Sequence, residues 1–421
     1  MPSPHPHIAI IGGGAAGLMA AAAIQESNPQ AQVTLIERNA SLGKKVVISG
    51  GGRCNVTTGI LDVRDVLTRY PRGGKFLSSA MHRFPPEMVM GWFTEHGVAL
   101  KTEDDLRVFP VSDNGNDIVV VFENLFRMAT SNVRTLLGKH VTGITKTTEG
   151  FSIAIKNEDP LLVDRVILTT GGQAYRQTGS TGDGYAFAES LGHHLTSLAP
   201  SLSSFFTKES WPKELTGLSF PRATISAPAV KHANYTGPFL CTHRGISGPA
   251  VFALSGLVAF EPWDAQHPLL VEIDFFPDEI VSDLEKRLVE LCAAHTKKTV
   301  KTVLGFLVPK ALADVICTEV HVTEDLHAAE MGKKNMAACV HWMKHAPLHI
   351  IGRGAGDEFV TAGGVDTTEV DPRTMESRIC SGLFFAGELL NVDGFTGGFN
   401  LQASWATGRA AGEAASVTEL S

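Results

Sequence analysis

The pattern of apolar and polar positions changes character twice along this chain. At the start, the short apolar run Ile8-Ala9-Ile10-Ile11 ends in glycines, an alanine-rich stretch follows, and a second apolar run, Val33-Thr34-Leu35-Ile36, ends on Glu37. That order predicts strand, tight turn, helix and strand. Periodicity next predicts helices over 86–96 and 115–129, short strands near 133–137 and 140–145, and an alternating strand over 151–155. A further apolar strand from Val163 runs straight into Gly171-Gly172.

From about 190 to 355 the pattern is different. Strand-like pieces such as 222–227 and 269–274 carry the first part, and Val281, Leu284, Leu288 and Leu291 then recur at spacings of three and four, one face of a helix. Helical signals continue through Met343. From about 356 the early character returns, with Gly363-Gly364-Val365-Asp366, the apolar strand starting at Leu383, and a final small-residue helix from near Asn400. The chain therefore reads as a nucleotide-binding α/β domain interrupted by a module that is part β and part α.

The first turn is a dinucleotide fingerprint. Gly12 permits the tight turn, Gly14 lets a pyrophosphate approach the backbone, and Gly17 lets helix and strand pack closely. The helix N-terminus adds N–H donors and the positive end of a dipole. Glu37, 20 residues beyond Gly17, can accept both ribose hydroxyl protons and would repel a 2′-phosphate. Glycine turns are common, but here strand, glycines, helix, strand and acid come in order. No second such set occurs, so one complete dinucleotide site is expected.

Two more segments carry chemistry. Ser49-Gly50-Gly51-Gly52-Arg53-Cys54-Asn55 offers a backbone able to lie against a flat ligand while presenting a cation and hydrogen-bonding groups. Beside Arg53 the Cys54 thiol is placed to ionise more easily or to act as an acid, although a lone cysteine is more often inert packing. In the segment Gly387 to Gln402, an acid at a strand end can bind a polyol and a Gly-Gly turn opening a helix can place N–H groups on an electron-rich ring.

Composition narrows the remaining choices. The chain has 421 residues, 43% hydrophobic and 19% charged, enough for two or three domains. No apolar window reaches membrane length and residues 1–7 lack a signal-peptide pattern, so a soluble, untargeted protein is expected. Six scattered cysteines without a C-x-x-C pair fit a reducing cytoplasm and signal neither zinc nor a dithiol. The net charge of −8 gives no general attraction to nucleic acid or anionic membranes. His193-His194 and the series His341, His345, His349 lack carboxylates at ligand spacing and read as packed or solvated, with no metal site.

Taken together, the glycine fingerprint with Glu37, the Ser49–Asn55 run, Thr170-Gly171-Gly172, Thr242-His243-Arg244-Gly245-Ile246-Ser247-Gly248-Pro249, Gly363–Asp366 and Gly387–Gln402 resemble the aminoacetone oxidase-like, or BaiN/RdsA-type, NAD(P)/FAD-dependent oxidoreductases. The resemblance spans nearly the whole chain. It implies a Rossmann-like, glutathione-reductase-type FAD-binding domain (1–190 and 356–421) split by a β-barrel-like substrate domain (191–276), a helical module (277–345) and a return through the barrel (346–355). By position, Gly12, Gly14, Ala16 and Gly17 would meet the pyrophosphate and Glu37 the ribose. Lys45, Gly51, Arg53 and Asn55 would line the cofactor, and Val141 would pair with adenine. Gly387 and Glu388 would hold the ribityl-phosphate, and Asn400 and Leu401 the ring. Ala15, Arg38, Ser49, Gly50, Cys54, Thr170, Gly171, Gly172, Asp393, Gly398 and Phe399 complete the expected lining.

His243 and Arg244 are the polar candidates for binding a substrate anion or carbonyl near the flavin; alternatively they cap a turn of the barrel. With Cys54 they form the expected catalytic set. The implied chemistry is two-electron hydride transfer at a polarised C=C or C=N bond, with NAD(P)H as transient donor and a small molecule as substrate. Dihydrouridine synthesis on ribosomal RNA, an amine oxidase using O2 and a non-catalytic FAD protein stand as alternatives. Lys297, Lys298, Lys301 and Lys310 give the RNA reading partial support. Oligomeric state is left open.

Overall fold

The computed structural model describes residues 5–323, 325–354 and 358–417. The expected boundary at 355/356 and the first four residues fall outside them. The chain divides into two compact units, Met1–Pro200 with Phe359–Ser421, and Ser201–Glu358.

The first unit is built on a five-stranded parallel sheet in the order Leu383–Phe385, Arg165–Leu168, His7–Ile11, Gln32–Glu37, Val133–Leu137. Such a sheet is covered on both faces, which explains strands that read as continuous apolar runs. Helix Ala15–Ser27 is buried from Ala15 through Ile24 and lies against the C-terminal helix Phe399–Ala415. Small residues make this approach possible. A Cβ on Gly408 would stand 2.3 Å from the Ala16 carbonyl oxygen, and one on Gly412 2.4 Å from that of Ala20. Two antiparallel three-stranded sheets flank the core, Thr57–Thr58, Arg107–Pro110, Leu100–Thr102 and Val141–Thr147, Gly150–Ile155, Leu161–Val163.

Where the structure departs from the periodicity, tertiary pairing explains the difference. The apolar run from Val163 is divided between two sheets: Val163 pairs with Phe151, whereas Arg165 onward joins the parallel sheet. Asp164 marks the break, its carboxylate accepting the His7 N–H at 2.6 Å. The helix expected over 115–129 is shorter, Asn116–Arg127, because Met128 turns to extended backbone.

In the second unit a closed antiparallel barrel runs Phe205–Thr207, Gly245–Ser247, Asn234–Thr242, Ser219–Ser226, Leu269–Asp274, Ala346–Arg353. The helices Val281–Ala294, Val300–Leu304, Lys310–Glu319 and Lys333–Lys344 are inserted between its last two strands and share one apolar core with it. In the first of them the buried stripe is Leu284, Leu288 and Cys292, while Val281 is 47% exposed. The helix begins at Val281, so that residue lies at the end of the stripe rather than in it.

Candidate functional site

Strand His7–Ile11 delivers Gly12 against Thr169, where a Cβ would stand 2.7 Å from a carbonyl oxygen. A Cβ on Gly17 would meet Gly12 O at 1.9 Å, so glycine is needed there for helix and strand to touch. Gly14, the N-cap, is different: a Cβ there meets nothing within 4 Å. The helix has neither a side-chain cap nor an acid in its first turn, and its first turn-to-turn bond is Leu18 N to Gly14 O at 2.9 Å. The N–H groups of Ala15, Ala16 and Gly17 precede that bond and form an anion cradle.

Glu37 is 8% exposed and held by the backbone. One carboxylate oxygen accepts Gly13 N at 2.7 Å, and the other accepts Asn39 N at 2.8 Å and Asn39 Nδ2 at 2.6 Å. These bonds fix its orientation and leave lone pairs for hydroxyl donors. Arg38 turns aside: it contacts Asp183 at 3.0 Å, Thr181 Oγ1 at 2.5 Å and His140 Nε2 at 3.1 Å. Val141 is buried and opens the strand next to His140, paired with Ile155.

The run 43–55 folds as a short helix, Lys44–Ile48, followed by a tight turn, Ser49–Gly52. Gly50, Gly51 and Gly52 all adopt left-handed backbone, which a side chain would resist, and space is open where a Cβ of Gly51 or Gly52 would point. Lys45 reaches Glu388 at 2.6 Å, joining two expected cofactor residues from opposite ends of the sequence. Arg53 lies 3.8 Å over the Phe109 ring and pairs with Glu103 at 2.7 Å. Asn55 Oδ1 accepts Val108 N at 3.3 Å.

Cys54 corrects the expectation of an easily ionised thiol. It is fully buried, and burial pushes the thiol up to about 12 despite a hydrogen bond with Ser49. Arg53 does not lower it because the guanidinium faces Glu103 and Phe109 instead. Cys54 is also left-handed, at φ 62°, a conformation that costs about 1–3 kcal/mol for a residue other than glycine.

At the other end of the sequence, Gly387 N donates to Thr407 Oγ1 at 3.0 Å and leads into Glu388. Gly398 caps Phe399–Ala415 at φ 88°, where a Cβ would lie 2.2 Å from Thr57 O. This helix too lacks a side-chain cap and a first-turn acid, and its first turn-to-turn bond is Gln402 N to Gly398 O. The N–H groups of Phe399, Asn400 and Leu401 precede it. The Asn400 side chain closes the loop on Gly394 by donating to Gly394 O and accepting Gly394 N, both at 2.8 Å. Asp393 is a second correction: 1% exposed, it gives both carboxylate oxygens to Arg72 and so supports the loop rather than lining it.

A Cβ on Gly172 would stand 3.2 Å from the Tyr185 hydroxyl, and one on Gly184 1.9 Å from the Thr170 hydroxyl and 3.1 Å from the Leu389 side chain. The Thr170 hydroxyl and the Tyr185 hydroxyl are buried without a hydrogen-bond partner among the described residues. Burial and the Glu388 charge raise the Tyr185 phenol above its ordinary value. Two buried hydroxyls without a protein partner are able to bond a polar group bound beside them. Sequence reasoning missed Tyr185, Tyr70, Arg72 and Thr57, and gave Gln402 no role of its own. No local signal announces them, because partners such as Thr57 Oγ1 and Gln402 Oε1, 2.6 Å apart, are 345 positions apart in sequence.

His243 and Arg244 occupy the exposed turn between barrel strands Asn234–Thr242 and Gly245–Ser247. Thr242 Oγ1 caps that turn, accepting Arg244 N at 3.4 Å and Gly245 N at 3.2 Å, while Arg244 lies 5.2 Å over the Phe206 ring. Four of the five histidines singled out by spacing do meet carboxylates, but from distant positions: His193 and His194 share Glu369, His345 pairs with Glu272 and His349 with Glu209, while His341 lies against the His345 ring.

Residues 6–414 match the HI0933-like protein Rossmann domain family. The chain belongs to this family. It is 32% identical over 411 residues to the 3-dehydro-bile acid delta(4,6)-reductase of Clostridium scindens, covering 97% of this chain and 98% of that protein. The ribosomal RNA dihydrouridine synthase of Escherichia coli is 30% identical over 403 residues, 94% of this chain and 95% of that protein. Among solved structures, E. coli quinol fumarate reductase FrdA shares the fold at 16% identity and a TM-score of 0.51, over 99% of this chain and 70% of that one. The Rossmann domain is of the FAD-binding type, and the protein is an FAD-dependent oxidoreductase. The residues present fit that cofactor: open space before Gly14, a backbone-held acid at Glu37, orphaned hydroxyls near Glu388, and a second uncapped helix end at Phe399. Among the described residues no helix is long and apolar enough to cross a membrane.

Proposed function

We propose that the enzyme is a reductase of a carbonyl-conjugated C=C bond, using NAD(P)H as transient donor. The observation that carries this reading is the chemistry common to the relatives. A delta(4,6)-reductase of a 3-dehydro compound and a dihydrouridine synthase both name a product in which a C=C bond conjugated to a carbonyl is saturated.

FAD supplies two-electron hydride chemistry when bound. The chain's own residues bind and orient it. Ala15, Ala16 and Gly17 meet the pyrophosphate, Glu37 the adenosine ribose and Lys45 with Glu388 the ribityl side. Phe399, Asn400 and Leu401 would hold the ring, offering it their N–H groups and the positive end of a helix dipole. His243 and Arg244, exposed on the barrel turn, bind the substrate carbonyl or an adjoining anion.

The test is anaerobic. NADPH or NADH should bleach the bound FAD, and a 3-keto-4,6-diene steroid should restore its colour faster than air does. Rapid reoxidation by air with no turnover of the dienone would make it an oxidase and sink the proposal.

One observation favours the RNA reading as a second possibility. Phe306 is 50% exposed, with His295 at 4.8 Å and Lys298 at 4.7 Å from its ring, and Lys297 is next to Lys298. An aromatic ring framed by cations is a platform on which an unstacked base can lie. Nucleoside analysis of ribosomal RNA from a deletion strain decides it: a missing dihydrouridine that Phe306→Ala fails to restore supports this reading, and unchanged dihydrouridine removes it.

A further inference from the structure

We propose that Arg72 is a positioning residue for the flavin: by holding Asp393 it fixes the segment 393–398, which leads into helix Phe399–Ala415, and thereby sets the reduction potential of bound FAD. This rests on the reading that the flavin ring lies at that helix end.

The pairing is made twice. Arg72 Nε and Nη2 each donate to one Asp393 oxygen at 2.5 Å, and the same two residues form an antiparallel backbone bridge, with Asp393 N 3.4 Å from Arg72 O. Two neighbours extend the seam. Phe395 N donates to Arg69 O at 2.9 Å, and the buried Tyr70 hydroxyl donates to Phe399 O at 2.7 Å. The segment between them contains Gly394, Gly397 and Gly398, so without an outside hold it would have many conformations open to it.

The pair carries no net charge, so its influence on the ring is through geometry. N–H donors at a helix end stabilise a negatively charged reduced ring only where they are aimed at it. Loosening the loop misdirects them and makes reduction less favourable. A planar, two-pronged guanidinium fixes the carboxylate's orientation, whereas a lysine ammonium would bind it at a point. A buried ion pair is also seldom kept for stability alone, since an apolar pair of similar volume often does as well.

The FAD-loaded enzyme, Arg72→Lys and the double variant Arg72→Met with Asp393→Leu are compared by redox titration of the flavin, FAD dissociation and thermal unfolding. The double variant removes both charges together, so neither member of the pair is left buried without the other. The expected result is a more negative flavin potential in both variants, larger in the double, with FAD held about tenfold less tightly there. Variants that lose thermal stability yet keep the wild-type potential and affinity would reduce the pair to a structural one and overturn the inference alone. A wild-type chain that takes up no FAD would overturn the cofactor reading and this inference together.

Discussion

Lys45 Nζ and Glu388 Oε2 lie 2.6 Å apart although 343 positions separate them, and both side chains are largely buried. The contact joins the short helix Lys44–Ile48, which follows strand Gln32–Glu37, to the turn that follows strand Leu383–Phe385. The two ends of the cofactor domain are thus closed on each other at the place where the middle of FAD is expected.

Removing one partner leaves the other partly buried and unpaired. Glu388→Gln is expected to cost about 1–3 kcal/mol of stability, between the limits for exposed and for fully buried pairs, and to weaken FAD retention about tenfold. Lys45→Met with Glu388→Leu should recover most of the stability but not the affinity. Denaturant unfolding and FAD titration of the three variants check it, and equal FAD affinity throughout would show that the pair acts only on the fold.

Gly14 and Gly17 separate binding from folding. At Gly14 an added methyl meets open space at ordinary backbone angles, so Gly14→Ala should fold with stability close to wild type while blocking the pyrophosphate and losing FAD. At Gly17 the methyl would stand 1.9 Å from Gly12 O, and Gly17→Ala should lose about 3 kcal/mol or more, whether or not FAD is present. A yellow, FAD-retaining Gly14→Ala protein would contradict the assignment of the cradle.

The contrast between these two glycines shows what the sequence made legible. Strand, glycines, helix and acid are local in sequence, so Gly12, Gly14, Gly17 and Glu37 were found by spacing. Barrel strand Leu269–Asp274 was legible as a strand-like piece, and strand Gly150–Ile155 by its alternation. The supports of the site were not, because Arg72 sits in an ordinary polar stretch and acquires meaning only when the fold brings Asp393 to it. Cys54 was misread for the same reason: its neighbour in sequence is a cation, but in space the thiol is buried and bonded to Ser49. His243 and Arg244 were legible as polar candidates for a substrate group or a turn cap, and their exposure came only with the fold.

His193 and His194 share Glu369 at 3.1 and 2.5 Å but should titrate in opposite directions from the ordinary 6.5. Burial lowers His193 more than Glu369 raises it, whereas the hydrogen bond to Glu369 raises the exposed His194. Burial of Glu369 works against its charge, but the His194 backbone and ring donors outweigh it and hold the carboxyl below 4.5. The signs follow. His194 contributes stability fully below pH 6.5 and loses it as pH rises through its raised value. His193 loses stability as pH falls below 6.5, and Glu369 loses it as pH falls through its lowered value. The cluster therefore contributes most near pH 6.5. In an NMR titration the two imidazoles should straddle that value, and Glu369→Gln should move both downward; a shared midpoint would refute the arrangement.

The last prediction concerns the substrate. His243 and Arg244 are exposed, their turn is capped by the Thr242 hydroxyl through backbone N–H groups, and neither side chain is needed for those bonds. His243→Ala and Arg244→Met are therefore expected to fold as the wild type and to keep their FAD and its rate of reduction by NAD(P)H. The half-reaction that passes hydride to the enone should suffer instead. Loss of a hydrogen bond to a developing oxyanion costs about 2.7–4 kcal/mol, a factor of about 10² to 10³ in rate, while loss of a contact made equally in the ground state raises KM alone. Stopped-flow measurement of the two half-reactions distinguishes these outcomes residue by residue. If both variants reoxidise with the enone at the wild-type rate and the wild-type KM, the two side chains are only the tip of a barrel turn, and the substrate carbonyl is held elsewhere.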